Sequence, residues 1–256
     1  MLQSFLGIAA PFLIAALGGV FTERAGVLNI ALEGLMLIGA FTSVTVAGSP
    51  GSIAYGILLG TAASTLIAFL FAAASLRFRA NIFIAGLAIN LFAAGTTALI
   101  SKAAFDTKGV IDFSSFPQIP KASIPILSDL PLIGGLFTEQ TPFAYAALLL
   151  VPVAAYLLYS TPFGMRIRAA GLSDEALYVR GISPIRIRII ALTLSGFACG
   201  IAGASISLPI GAYVPHITAG RGWIALVAIF LGYKRPLGIL AASLLFAGAE
   251  WISYTV

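Results

Sequence analysis

The chain has 256 residues, of which 60% are hydrophobic and only 9% are charged. Soluble domains carry about 25% charged residues, so this composition excludes a soluble protein and indicates a polytopic membrane protein. The formal charge of +5 comes from basic residues in short loops between apolar runs, a membrane pattern that argues against a nucleic-acid partner.

The hydropathy pattern predicts an all-α fold, a transmembrane helical bundle of about eight apolar segments, some of them broken or re-entrant, in one domain over 1–256. The apolar runs are 2–21, 27–46, 53–76, 82–100, 143–159, 189–208, 223–231 and 237–256. No basic region or cleavage site accompanies the first run, so we predict a retained helix and no signal peptide. The run 223–231 is too short to span, so either 217–221 extend it or it is re-entrant.

The second run carries two polar residues, Asn29 and Glu33, four positions apart. That spacing places both on one helix face within the first two turns of the crossing. An ionisable residue there costs several kcal/mol unless it faces protein or water, so Glu33 is a functional candidate. Two interpretations stay open: hydrogen bonds to a neighbouring helix or to the broken backbone of one, or direct contact with a substrate or gate.

Further polar residues interrupt later runs. Asn90, Thr96 and Thr97 lie in the fourth run, where Asn90 suits a hydroxyl-rich ligand or bridges two helices. Trp223, beside Arg221, is a candidate ligand contact from outside. Glu250 is predicted near an interface end of the last run.

The loop 101–141 has about 41 residues with mixed charge and four prolines. Structureless loops of this length are uncommon and are usually functional or disordered. We predict an extracytoplasmic loop that is either a cap meeting a binding protein or a simple lid over the helices.

The polar interruption 160–188 holds five of the 14 basic residues. One short helix is predicted in its middle, with Ser173 as N-cap, Asp174 and Glu175 in the first turn, Arg180 in the last turn and Gly181 at its end. A helix of about two turns is not stable alone in water. The segment is therefore either a juxtamembrane basic loop held by the positive-inside rule and anionic lipid, or a docking element for another protein.

Charge counting predicts the orientation. With 160–188 inside, alternating crossings place ten basic residues inside and four outside, Arg221 among the latter. The positive-inside rule then puts the N-terminus on the extracytoplasmic side.

Three strings resemble a known family. AAGLSDEALYVRGISPIRIRIIALTLSGFACGIAGA resembles the cytoplasmic coupling segment of bacterial ABC importer permeases, in the superfamily serving ribose-type sugars, branched-chain amino acids and nucleosides. ERAGVLNIALEG is similar to the nucleoside branch, and GRGWIALVAIFLGYKRPLG extends the likeness over most of the chain. The resemblance implies that the short helix, with Gly171 before it, sits in a groove of the ATP-binding subunit. Family members often have Glu-Asn after that glycine, where this chain has Leu172 and Ser173.

The resemblance implies a permease subunit in the bacterial plasma (inner) membrane, surrounded by lipid bilayer. Its partners would be ATP-binding cassette subunits, a second and non-identical permease, and an extracytoplasmic substrate-binding protein. The chain lacks the phosphate loop G-x-x-x-x-G-K-[ST], so we expect no catalytic residue and no cofactor in it, with ATP and magnesium on the partner. Family members usually continue past the equivalent of Val256 and often begin earlier.

Nucleosides are the substrate that the resemblance favours. An uncharged base and a hydroxyl-rich ribose call for an apolar route with amides, supplied here by Asn29, Asn90, Thr96 and Thr97, and with Glu33 as the single acid near the cytoplasmic side. A phosphorylated substrate would call for Arg or Lys within the crossings, and the predicted crossings contain none. Simple sugars or branched-chain amino acids are the alternative substrates. A channel or an ion-driven transporter is the alternative class. Two features argue against it: the single Arg-rich capped loop, and the absence of a clear ion-binding pair of broken helices.

Overall fold

The structure is a computed structural model that describes residues 5–49, 52–113, 116, 118–121 and 138–255. Within these ranges it contains ten α-helices and one two-stranded ribbon. In chain order they are α1 (Phe5–Arg24), α2 (Leu32–Gly48), α3 (Ile53–Ala72, extended by a π-helical turn, Ala73–Arg77), α4 (Ile82–Phe105), β1 (Ile111–Asp112), α5 (Pro142–Ser160), α6 (Pro162–Leu172), α7 (Asp174–Tyr178), α8 (Pro184–Ile210), β2 (Ala212–Tyr213), α9 (Arg221–Leu231) and α10 (Pro236–Thr255).

Six helices are long and apolar enough to cross a membrane, and α2 and α9 are shorter apolar helices. Together they confirm the prediction of an all-α bundle of about eight apolar segments. Successive apolar helices run in opposite directions between two ends of the bundle, and we name each end for the elements that lie there. The basic end carries α6, α7 and the α9–α10 turn, and the ribbon end carries β1 and β2.

Helix α8 is the centre of the bundle and packs against α1, α2 and α3. Small residues allow this because a side chain at Gly200 would bring its Cβ within 2.6 Å of the Thr61 Cα on α3. The same glycine lies against Gly39 of α2, whose Cβ position is 2.7 Å from the Gly200 Cα. Glycines therefore permit close helix contact at the central helix.

Two helices begin inside the protein. Residues 25–31 are not helical, so α2 begins at Leu32 and not at Val27 as predicted. Residues 214–220 are likewise non-helical between β2 and α9, so the short run at 223–231 is the second half of a broken crossing. These two helix starts agree with the prediction that some apolar segments are broken or re-entrant.

The two long polar segments also differ from their predictions. Residues 160–188 contain two helices, α6 and α7, where one was predicted. In 101–141, α4 continues to Phe105, and Ile111–Asp112 pairs antiparallel with Ala212–Tyr213. Residues 114, 115, 117 and 122–137 of that loop lie outside the described residues, so the choice between cap and lid stays a prediction.

Candidate functional site

The first part of the candidate site is the buried start of α2. Asn29 is 1% exposed; its Oδ1 accepts a hydrogen bond from the Ala31 N–H at 3.0 Å, and its Nδ2 donates to Ser195 Oγ of α8 at 3.0 Å. Because the helix begins only at Leu32, Asn29 and Glu33 do not share a helix face, and that prediction was wrong. Asn29 instead shapes the turn that leads into α2 and fixes it to α8.

Asn90 of α4 holds the same junction from the other side. Its Nδ2 donates to the carbonyl of Ile30 at 3.0 Å, and its Oδ1 accepts from the N–H of Gly34 at 2.8 Å. Both ends of the amide are thus engaged with the backbone of the α2 start. This geometry favours the bridging interpretation of Asn90 over ligand contact.

Glu33 connects the two broken helices. Its Oε1 accepts from the Thr218 hydroxyl at 2.6 Å and from the Gly220 N–H at 2.9 Å, and its Oε2 accepts from the Gly222 N–H at 2.7 Å. These N–H groups belong to the start of α9, where a helix has unsatisfied donors and a partial positive charge. The geometry favours the interpretation that Glu33 binds the broken backbone of a neighbouring helix.

Two glycines let α9 approach Glu33 in this way. A side chain at Gly222 would place its Cβ 2.5 Å from the Cα of Glu33, and Gly220 has a φ of +82°. From this contact α9 runs 11 residues, or about 16 Å, to the basic end. Glu33 therefore lies about 16 Å from the basic end, which is about half the thickness of a 30 Å hydrocarbon core. The glycines on both sides of Arg221 are the sequence signal that could have revealed the contact.

Arg221 and Glu250 form an ion pair between α9 and α10 inside the bundle. The Arg221 Nη2 contacts Glu250 Oε1, and the two side chains are 17% and 21% exposed. The Arg221 guanidinium also lies 6.0 Å from the ring centroid of Phe12 and donates to the Ile217 carbonyl at 3.3 Å. Arg221 is thus not in an external turn, and its ion-pair partner Glu250 lies in the last turns of α10, so the predicted place of Glu250 near an interface end stays a prediction. A crossing does contain an arginine, but Glu250 neutralises its charge.

The remaining pathway candidates lie apart. Thr97 is 3% exposed and donates to the Ala93 carbonyl at 2.8 Å. Thr96 is half-buried, and both threonines are about 9–10 Å further along α4 than Asn90. Trp223 is 41% exposed in the first turn of α9, next to the glycine that contacts Glu33. Asn29, Glu33, Asn90 and Trp223 therefore gather at the two broken helices.

The second part of the site is the segment α6–α7 at the basic end. The Ser173 Oγ accepts from the Ala176 N–H at 3.3 Å, which confirms the predicted N-cap. Gly181 has a φ of +69°, as expected of a residue that ends a helical segment. Helix α7 ends at Tyr178, however, so Arg180 lies in the turn after the helix and not in its last turn.

Arg188 of α8 anchors this segment to the bundle. Its guanidinium forms a bidentate pair with Asp174, at 2.7 and 3.1 Å. It also donates to the carbonyls of Ala170 at 2.8 Å and Ala25 at 3.1 Å. Gly171 packs its backbone against the carbonyl of Arg24, so α6 lies directly on the α1–α2 turn. The Asp174 charge is therefore satisfied within the chain.

The outer surface of α6–α7 is different. Leu172 and Val179 are 88% and 89% exposed, and Tyr178 is 58% exposed. Glu175 and Arg180 are exposed and make no side-chain hydrogen bond or ion pair within the part of the chain that the structure describes. An aliphatic and charged surface of this kind, outside the membrane-spanning runs, is typical of a protein contact.

Comparison with known proteins adds a family match over residues 1–255, to the family described as branched-chain amino acid transport system, permease component. The chain is 38% identical to the guanosine ABC transporter permease protein NupQ of Bacillus subtilis, covering 96% of this chain and 79% of the relative. It is 34% identical to the nucleoside ABC transporter permease protein NupC of Lactococcus lactis, with the same coverages. A putative glucose ABC transporter permease protein of Haloferax volcanii is 33% identical over 96% of this chain and 74% of the relative. No solved structure matches the chain significantly.

Proposed function

The chain belongs to the family of branched-chain amino acid transport system permease components, and on that premise we propose that it is the membrane subunit of an ATP-driven nucleoside importer. ATP and magnesium would bind to partner ATP-binding subunits. A second, non-identical permease would complete the pathway, and an extracytoplasmic binding protein would deliver the substrate. In this arrangement the basic end faces the cytoplasm and the N-terminus is extracytoplasmic, in line with the positive-inside rule.

The exposed surface of α6–α7 is the observation that carries the proposal. Leu172 and Val179 are almost fully exposed although neither lies in a spanning run. Glu175 and Arg180 flank them with opposite charges. A groove in an ATP-binding subunit would bury the aliphatic side chains and offer partners to the charged ones.

The contacts behind this surface suggest how a push on α7 would reach the pathway. Arg188 ties Asp174 of α7 to the carbonyl of Ala25, at the start of the non-helical stretch 25–31. That stretch leads to Asn29 and then to Glu33, which holds the start of α9. A displacement of α7 would therefore be passed through polar contacts to both broken helices.

Docking is tested by reversing the charges of Glu175 and Arg180, which have no partner among the described residues. Glu175→Lys with Arg180→Glu leaves the Asp174–Arg188 pair intact, so the segment itself should stay folded. We expect the ATP-binding subunit to be lost on purification, or substrate-stimulated ATPase activity to disappear, while the chain still inserts. The matched control is the double reversal Lys108→Glu with Asp112→Lys at the ribbon end, far from α7, which should keep the ATP-binding subunit on purification. Normal complex yield and normal stimulation in the α7 variant would refute the docking assignment.

The substrate proposal rests on the relatives and on the chemistry around α9. Two relatives carry nucleoside or guanosine in their names, and the half-exposed Trp223 lies beside the contact between Gly222 and the Glu33 carboxylate. An aromatic ring suits a base, and a carboxylate suits ribose hydroxyls. Trp223→Leu should weaken nucleoside transport more than it weakens assembly.

A sugar is the second candidate, since one relative is named for glucose. Uptake of labelled guanosine, adenosine, uridine, ribose and glucose by the reconstituted complex distinguishes the two. Transport of ribose or glucose without any nucleoside uptake would overturn the nucleoside assignment. It would leave the docking surface unaffected.

A further inference from the structure

A cleft of about 1090 Å³ lies at the basic end, between the last turns of α5 and the first turn of α10. Its walls are apolar, formed by Ala155 of α5 and by Pro236 and Leu237 of α10. Its rim is polar and carries Arg24 and Arg235. The cleft thus combines an apolar interior with a cationic mouth.

The positive charge at this mouth is largely uncompensated. Lys234 is paired with Glu23, with its Nζ 2.9 Å from Oε2. Arg24 instead donates to two neutral oxygens, the Lys234 carbonyl at 2.8 Å and the Tyr159 hydroxyl at 3.2 Å. No carboxylate of the described residues lies within ion-pair distance of Arg24 or Arg235.

A third arginine, Arg168, adds positive charge close to the cleft. The Arg168 guanidinium carbon lies 5.4 Å from the ring centroid of Tyr159, on the same side of the bundle as Arg24. Arg168 also has no ion-pair partner among the residues described. Two arginines without carboxylate partners thus line the cleft, and Arg168 lies against Tyr159, which is also a lining residue. Such a cluster calls for an anion, and guanidinium groups bind phosphate through paired N–H donors.

The apolar wall of the cleft indicates which kind of anion binds there. Leu237 is 72% exposed on the α10 wall, and Tyr156 of α5, next to Ala155, is 62% exposed. These side chains belong to helices that cross the membrane, so the cleft is flanked by the acyl-chain region. A free phosphate would use only the rim, whereas a phospholipid would use the rim and the apolar wall together. Basic pockets between transmembrane helices are known to take anionic head groups.

We propose that this cleft binds an anionic phospholipid of the adjacent leaflet. Arg24 and Arg235 bind its phosphate, and Arg168 adds to the attraction. The Tyr159 hydroxyl accepts from Arg24 and so keeps its own proton to donate to a lipid oxygen. The first acyl carbons lie against Ala155 and Leu237. The site is separate from the outer surface of α6–α7, so the proposal does not depend on docking of an ATP-binding subunit.

The test measures lipid retained by the purified transporter after reconstitution in vesicles of equal parts phosphatidylglycerol and phosphatidylcholine and re-extraction. Mass spectrometry of the intact complex should show bound phosphatidylglycerol in preference to phosphatidylcholine. Arg235→Gln removes an exposed arginine with no side-chain hydrogen bond in the described structure, so the fold should be retained. Each basic residue strengthens attraction to an anionic lipid about fivefold, so we expect a loss of that order, and a larger one with Arg24→Gln added.

The matched control is Arg77→Gln with Arg79→Gln, which removes two exposed arginines elsewhere at the basic end. This control should keep the bound phosphatidylglycerol. If the control and the cleft variants lose the same amount of bound phosphatidylglycerol, general surface charge explains the binding and the proposed site is wrong. Equal retention of both lipids by the unmodified protein, or complete displacement of lipid by inorganic phosphate, would overturn it as well.

Discussion

Replacing Glu33 by glutamine perturbs the contact on which both broken helices depend. The carboxylate accepts three hydrogen bonds, two of them from backbone N–H groups of α9. An amide keeps one acceptor oxygen, so its NH₂ group must oppose either the Gly222 N–H or the Gly220 and Thr218 donors. A hydrogen bond to a charged group contributes about 1.5–3 kcal/mol, and the negative charge at the helix start adds about 0.3–1 kcal/mol.

We therefore expect Glu33→Gln to destabilise the attachment of α9 by at least about 2 kcal/mol, which is about a 30-fold change in a local opening equilibrium. Hydrogen exchange of peptides covering 214–224, followed by mass spectrometry, measures that opening directly. Exchange should accelerate there and stay unchanged in α3. Thr218→Val, which removes only the hydroxyl donor, is the graded control and should produce a smaller acceleration.

The outcome separates two roles of Glu33. If hydrogen exchange at 214–224 is faster and transport is lost while the complex still assembles, Glu33 has a structural role: it stabilises the two broken helices that line the pathway. Unchanged exchange at 214–224 in a folded Glu33→Gln variant would refute the reasoning, because the three hydrogen bonds would then carry no net stability. Lost transport with unchanged exchange would instead favour direct substrate contact.

Three further predictions concern the contacts around this site. Gly222→Ala should destabilise the protein by about 1–3 kcal/mol and lower its thermal unfolding temperature, because the new Cβ would meet the Glu33 backbone. The control Gly95→Ala has open space around it and should leave the unfolding temperature unlowered. Asn90→Ala should cost about 1–3 kcal/mol, because the partly buried Ile30 carbonyl and Gly34 N–H lose their partners. The measurement is faster exchange at the start of α2; unchanged exchange there would argue that water replaces the amide. Arg188→Gln should uncouple ATP hydrolysis from transport while the complex still assembles, and Arg186→Gln, an exposed neighbour, should not; normal coupling in the Arg188 variant would remove it from the transmission path.

The sequence was informative wherever the signal was local. Apolar runs of about 20 residues predicted the long helices, because a bilayer fixes the length of an apolar helix. The Ser173 cap and the turn at Gly181 follow from side-chain and backbone preferences within a few residues. Docking of Glu175 and Arg180 on a partner stays a prediction, because it concerns a contact with another protein chain.

The sequence was misleading where a helix was assumed to fill an apolar run. Asn29 and Glu33 are four apart, but the run bends into a non-helical stretch before Leu32. Within 27–31 the local signal is the Asn29 side chain, which accepts from the Ala31 N–H. Asn90 and Ser195, which also hold the stretch, are distant in the chain. Likewise Arg221 was assigned to an external turn because its ion-pair partner, Glu250, is 29 residues away.

By itself, then, the sequence determined the membrane class, the number of apolar segments, the charge asymmetry between the two ends and the family resemblance. All of these are properties of composition and of short strings. Only the tertiary structure decided that two crossings are broken, that Glu33 joins them and that Asp174 is paired inside the chain with Arg188. The physical reason is that a buried carboxylate or guanidinium is stable only next to its partner, and each of these partners is brought there by a different helix.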